Sequence, residues 1–149
     1  MGVETEKLEF LKQSIDELQT RINSSRLYYR KTAYSLYISA AILSAITTIL
    51  LGLNIDILKD YVRIIALILT TVITVINAYN AFFNNKDLWV AYNTAENSFR
   101  QLKFNIEYAE KGVDTMPIDI IDGFKKNFQD ILDELNATWQ KSRLNAKPK

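Results

Sequence analysis

The chain has 149 residues, enough for one domain, and its 18 basic residues nearly cancel 17 acidic ones, so no charge excess points to nucleic acid as a partner. It contains no cysteine and no histidine. That excludes a disulfide framework, a thiol nucleophile, the commonest general base and the commonest transition-metal ligand.

Residues 3–31 predict a cytoplasmic heptad helix. Leu8, Leu11, Ile15, Leu18, Ile22, Ser25 and Tyr29 follow at spacings of 3, 4, 3, 4, 3 and 4, a coiled-coil seam with one polar slip at Ser25. No glycine or proline occurs from Val3 to Leu51, so this helix is expected to run unbroken into the next segment. From Glu4 to Tyr29 it would extend about 40 Å.

No charge occurs over the 24 residues from Thr32 to Ile55, nor over the 22 from Ile64 to Asn85. About 20 mostly apolar residues suffice for a helix to cross the hydrocarbon core. The first run holds Leu36, Ile42, Leu43 and Ile46 among others, the second Ile68, Leu69, Val72 and Ile76. Each such residue near the bilayer centre favours insertion by about 0.3–0.6 kcal/mol. A soluble core helix would carry a charged stripe, and six uncharged turns argue against one. The first run is also too long, and starts too late, for a signal-peptide core.

Residues 32–55 and 64–85 are therefore the expected spans, joined by an outer loop at 56–63. Arg21, Arg26, Arg30 and Lys31 precede the first span and Lys86, Arg100 and Lys103 follow the second, whereas the loop has two basic residues. The positive-inside bias puts both termini in the cytoplasm. Tyr34, Tyr37, Tyr79 and Trp89 fall toward the cytoplasmic ends, as an aromatic belt requires. Asn23-Ser-Ser25 and Asn136-Ala-Thr138 fit the glycosylation sequon, but on cytoplasmic helices they are chance matches.

Residues 86–111 predict a cytoplasmic helix whose seam runs through Leu88, Tyr92, Ala95, Phe99, Leu102, Ile106 and Ala109. Gly112 should end it. Thr115 is the expected cap, and Pro117 the first turn, of a last helix over 116–143. That helix carries Ile121, Phe124, Phe128, Ile131, Leu135 and Trp139, and from Lys141 on the chain reads as a fraying tail. The seams can pack within one protomer or join protomers. Leu8, Leu11, Ile15, Leu18, Ile22, Tyr29, Phe99, Leu102 and Ile106 form the candidate assembly seam.

Within the spans two polar features stand out. Thr70, Thr74, Asn77 and Asn84 share one face of the second span, with Asn80 a turn from Asn77 and Asn84. Amides facing lipid would lack partners, so these side chains should meet protein or water. In the first span Ala41, Ser44, Ala45, Thr48 and Gly52 form a strip of small residues that lets helix backbones approach closely. Either the Thr and Asn side chains join helices by hydrogen bonds, or Thr70, Thr74, Asn77, Asn80 and Asn84 line a polar pore. One hairpin cannot enclose a pore, so the pore reading requires a homo-oligomer, with four or more subunits a geometric guess. The TVGYG potassium filter is absent.

The order of parts resembles the SLATT family, two-helix membrane effector domains associated with nucleotide-generating and nucleotide-sensing bacterial conflict systems. The resemblance is carried by Arg26-Leu-Tyr-Tyr-Arg-Lys-Thr-Ala33 running into the first span, and by Trp89-Val-Ala-Tyr92-Asn-Thr-Ala-Glu96 with Phe99 and Leu102 after the second. It covers roughly Leu18 to Ala109. It implies an effector that oligomerises and perforates the inner membrane when a partner signals. The trigger would come from a separate cytoplasmic sensor or from a ligand pocket in the cytoplasmic helices, unless the pore needs none.

The expected fold class is all-α: an integral membrane two-helix hairpin with long cytoplasmic extensions, multi-pass in the inner (plasma) membrane. The expected function is a homo-oligomeric pore or channel. The alternative is a membrane-anchored helical scaffold that recruits a cytoplasmic partner. No catalytic residue, metal ligand or cofactor is expected, because no intramembrane acid and no glycine-rich phosphate loop occurs. Asp56 and Asp60, interleaved with Lys59 and Arg63, read as ordinary surface pairs.

Overall fold

A computed structural model describes residues 3–52, 59–111, 113 and 115–144. Residues 53–58, which hold the end of the expected first span and the first three residues of the expected outer loop including Asp56, and Gly112, the expected helix stop, lie outside the described residues. The described residues form four helices and no strand: α1 (Val3–Gly52), α2 (Lys59–Phe83), α3 (Asn85–Glu110) and α4 (Ile118–Leu144).

With no glycine or proline from Val3 to Leu51, α1 continues for 50 residues, a rod of about 75 Å. Helix α2 starts earlier than the sequence suggests. Lys59 to Arg63, expected in the loop, are already helical, and Asp60 in the first turn complements the positive end of the helix dipole. Pro117 sits at the cap position of α4 rather than in its first turn. Its carbonyl accepts from the amides of Ile120 (3.1 Å) and Ile121 (3.2 Å).

Helices α2 and α3 are one rod with a break at Asn84, whose φ and ψ are both 46°. Among the described residues it is the one non-glycine residue with positive φ. The left-handed conformation costs most residues about 1–2 kcal/mol, and asparagine is among the few that visit it routinely. Hydrogen bonding continues across the break: the Asn84 amide donates to the Asn80 carbonyl at 2.9 Å, and its carbonyl accepts from Leu88 at 3.2 Å.

The bent rod packs antiparallel to α1, and α4 folds back over both. Leu8, Leu11, Ile15 and Ile22 of α1 meet Ala95, Phe99, Leu102 and Ile106 of α3 in the core, closed by Met116 and Ile121. Phe128 of α4 lies edge-on to Phe99 at 5.6 Å between centroids. The residues of the candidate assembly seam thus serve the interior of one protomer. Leu18 and Tyr29 are half-buried, and the other seven are buried.

Polar contacts set the register. Lys12 pairs with Glu110 at 2.5 Å and Lys103 with Asp16 at 2.6 Å. Glu96, 4% exposed, is clasped by Arg26 of α1 and by Arg100, one turn on, at 2.7 Å. Arg26 also reaches Asn23 at 2.7 Å. Tyr92 stacks on Tyr29 at 5.4 Å. Burial alone would lower the Lys12 pKa, but hydrogen bonds and charge from Glu110 and Glu9 raise it. Burial, then Tyr29, raises that of Tyr92 against opposing effects of Ser25 and Arg143.

The chain after Lys141 does not fray within the described residues. Helix α4 runs to Leu144, Ser142 is buried, and the Arg143 guanidinium lies 5.6 Å from the Phe83 ring and 5.5 Å from that of Trp139. A cation–π contact across elements is invisible to a local reading of the sequence.

The uncharged stretches behave differently from this core. Only 6% of the apolar window in each span-length helix is buried. Thr47 and Ala66 are the buried residues there, while Ile42, Ile49, Leu67 and Val75 are more than half exposed. The two helices are long and apolar enough to cross a membrane.

Three outcomes follow. Glu96→Gln should lower stability by on the order of 2–3 kcal/mol, because it leaves the part-buried Arg26 without its counter-charge. Thermal unfolding followed by circular dichroism measures this, and a loss under about 0.5 kcal/mol would mean the pair is solvated. Asn84→Gly should be tolerated, whereas Asn84→Val should cost about 1–2 kcal/mol in the same measurement. Lys12 and Tyr92 both have raised pKa values, so their contributions are complete below the ordinary values of 10.5 and 10.0 and are lost as pH rises through the folded ones. Stability measured against pH should accordingly fall on the alkaline side, above about pH 10.

Candidate functional site

The polar residues of the second span do not share one environment. The Ala66, Leu69, Ile73, Ile76 and Asn80 side of α2 turns toward α1, each residue buried or half-buried. Thr70, Thr74 and Asn77 lie about a quarter-turn round the helix and are exposed.

Their hydrogen bonding separates them further. Thr70 donates to the Ala66 carbonyl at 2.8 Å and Thr74 to that of Thr70 at 2.9 Å. Back-bonding of this kind satisfies a hydroxyl donor inside its own helix. Asn77 has no such recourse, and among the described residues its side chain makes no hydrogen bond. It is the exposed amide of the uncharged stretch.

Asn80 faces α1 and lines a cavity of about 830 Å³ at the boundary between the uncharged and charged parts of the rod. Arg30, Lys31 and Lys86 line the same cavity, as do Tyr34 and Trp89. Asn84 lies at the helix break, where its amide donates to Asp87 at 2.7 Å. It borders a second cavity, about 360 Å³, between α3 and α4, near the buried and unpartnered Ser142 hydroxyl. The five pore candidates therefore occupy three places: an outward face with Thr70, Thr74 and Asn77, the α1–α2 boundary with Asn80, and the break with Asn84.

The small-residue strip of α1 is also outward. Ala41, Ser44, Ala45, Thr48 and Gly52 are exposed, and α1 faces α2 with Leu36, Ala40, Leu43, Thr47 and Leu50 instead. A Cβ placed on Gly52 would meet nothing within 4 Å. Close approach at this strip is open to another helix and is not used within the protomer.

Two features escaped the sequence reading. The convergence of Arg30, Lys31 and Lys86 was signalled only by their places at the ends of the uncharged runs. The Glu96 clasp was signalled by an acid immediately beside the apolar seam position Ala95, where burial demands a partner. Among the described residues no group of three or more acids, histidines or cysteines could hold a metal ion.

No curated protein and no solved structure matches the chain. Residues 13–109, which include both uncharged stretches and the break at Asn84, match a family described as protein of unknown function (DUF4231). The match takes in well over half of the sequence, and the chain belongs to the DUF4231 family.

Proposed function

We propose that the chain is a two-span membrane protein, with both termini in the cytoplasm, that assembles into a homo-oligomeric pore. The observation that carries this reading is Asn77. It is exposed, makes no side-chain hydrogen bond among the described residues, and is set within a 22-residue uncharged stretch. In hydrocarbon such an amide must find protein or water. A ring of second spans presenting Asn77, Thr74 and Thr70 inward supplies both, and the exposed small-residue strip of α1 supplies a surface for close packing between copies. The basic residues beside the spans support the cytoplasmic placement of the termini.

The resemblance to the SLATT family supports the same function, a pore-forming effector of a bacterial conflict system in the inner membrane. A cytoplasmic sensor protein would provide the trigger. A second reading, a membrane-anchored scaffold, is favoured by one observation: Phe10, Phe104 and Tyr108 stand 65–73% exposed on the charged half of the molecule, where a partner could cover them.

Current across a planar lipid bilayer containing the purified full chain separates the readings. A pore gives discrete conductance steps, and Asn77→Leu lowers them several-fold while cross-linking still traps the same oligomer. Unchanged steps in that variant would remove Asn77 from the pathway. Silent bilayers, with a stoichiometric cytoplasmic partner recovered through the stacked Phe104 and Tyr108, would establish the scaffold.

A further inference from the structure

The cavity between α1 and the α2–α3 junction has a composition unlike the others. Arg30 and Lys31 reach it from α1 and Lys86 from the first turn of α3, and no acidic residue lines it. None of the three cations is in an ion pair among the described residues. The nearest carboxylate in sequence, Asp87, accepts from Asn84 and borders the other cavity. Lys86 is also placed against the helix dipole, since a first-turn cation meets the positive end of α3. Three positive charges, unpaired among the described residues, line one cavity with no acidic residue in its wall.

The other walls are apolar and aromatic. Tyr34 and Tyr37 stand 70% and 72% exposed at the cavity mouth, with Trp89 half-buried and Asn80 one turn inside the uncharged stretch. The cavity's level is fixed by the chain. Arg30 and Lys31 immediately precede the first uncharged run, and Lys86 immediately follows the second. At about 830 Å³ it far exceeds a bare phosphate and lies in the range, roughly 300–1,000 Å³, of sites that enclose whole organic ligands.

We infer that this cavity is a binding site for the headgroup of an anionic phospholipid, the phosphodiester held by Arg30, Lys31 and Lys86 and the glycerol region by Tyr34, Tyr37 and Trp89. The inference rests on the two-span membrane reading. Ordinary snorkelling would explain cations spread around the helices at this level. It does not explain three from two helices lining one cavity. Basic pockets between spans on the cytoplasmic side are suited to anionic headgroups, each cation near the surface contributing attraction.

The test is native mass spectrometry of the detergent-solubilised full chain titrated with phosphatidylglycerol, phosphatidylcholine or glycerol 3-phosphate. Phosphatidylglycerol should bind in preference to phosphatidylcholine. Arg30→Gln, Lys31→Gln and Lys86→Gln should each weaken it roughly fivefold. Lys7→Gln, Lys125→Gln and Lys126→Gln, an equal charge loss at the far end of the cytoplasmic helices, should leave it unchanged. Because each cation is exposed, single variants should retain the wild-type helical circular dichroism, and a triple variant is not needed. Equal weakening by the distant set, or no preference between the two lipids, would overturn the inference. So would displacement of the lipid by glycerol 3-phosphate at comparable concentration, which would assign the cavity to a soluble phosphate ester. Failure of the membrane reading shows separately: the wild-type chain would then wash from pure phosphatidylcholine vesicles at alkaline pH.

Discussion

One helix, α1, joins a charged half to an uncharged, span-length half, and the rest of the fold follows from the need to keep its partner in register along the whole length. Its buried or half-buried line runs through Leu8, Leu11, Ile15, Leu18, Ile22, Ser25 and Tyr29 in heptad spacing. It continues through Ala33, Leu36, Ala40, Leu43, Thr47 and Leu50. The step from Ser25 to Tyr29 to Ala33 is four and then four, a stutter in which the coil locally unwinds. The partner rod breaks its own pattern about two helical turns from Tyr92, which stacks on Tyr29, with Asn84 in the left-handed conformation between Phe83 and Asn85. Both interruptions fall where the uncharged stretch meets the charged one. The boundary cavity lies there as well, because two helices that lose heptad contact over one turn leave space between them.

The energetics differ on the two sides of that boundary. In the charged half, Phe99, Ile15 and Ile106 are fully buried, and α4 completes a hydrophobic core of the ordinary kind. Beyond it, among the described residues, the helix pair has no third element and buries little more than Thr47 and Ala66. Two helices alone cannot cover each other, and the apolar surface they leave is far larger than the patches that soluble monomers expose. In the proposed two-span assembly, lipid and further copies of the chain supply the rest.

The helical elements were legible in the sequence, because uncharged runs and heptad spacing are local signals that the fold obeys. Leu8 to Tyr29 and Leu88 to Ile106 read as seams and pack as seams. What local reading missed was set by contacts between elements or by single backbone positions. The end of α4 looked frayed because nothing near Lys141 holds it, and it is held by Arg143 against Phe83, sixty residues away in sequence. The polar stripe looked continuous because a perfect helical wheel was carried through Asn84. The helix stops at Phe83, and the last asparagine turns aside to Asp87. Asn80, a turn from Asn77, is rotated far enough to face α1. Glu96 was passed over because its partner Arg26 is distant in the chain.

These displacements sharpen the argument for assembly. If all five polar residues had faced one way, interhelical hydrogen bonds worth about 0.6 kcal/mol each would have been spread over them, with no single residue decisive. Instead the threonine hydroxyls are satisfied within their own helix, Asn80 lies half-buried at the boundary cavity beside Arg30, Lys31 and Lys86, and Asn84 has Asp87. On the outward face of the second span the demand falls on Asn77, where leaving one amide in hydrocarbon costs several kcal/mol. In the proposed assembly the force favouring a second copy is the penalty avoided at one position rather than the strength of any bond formed. It acts beside the bare strip from Ala41 to Gly52, where backbones can come close enough for Asn77 of one chain to reach another.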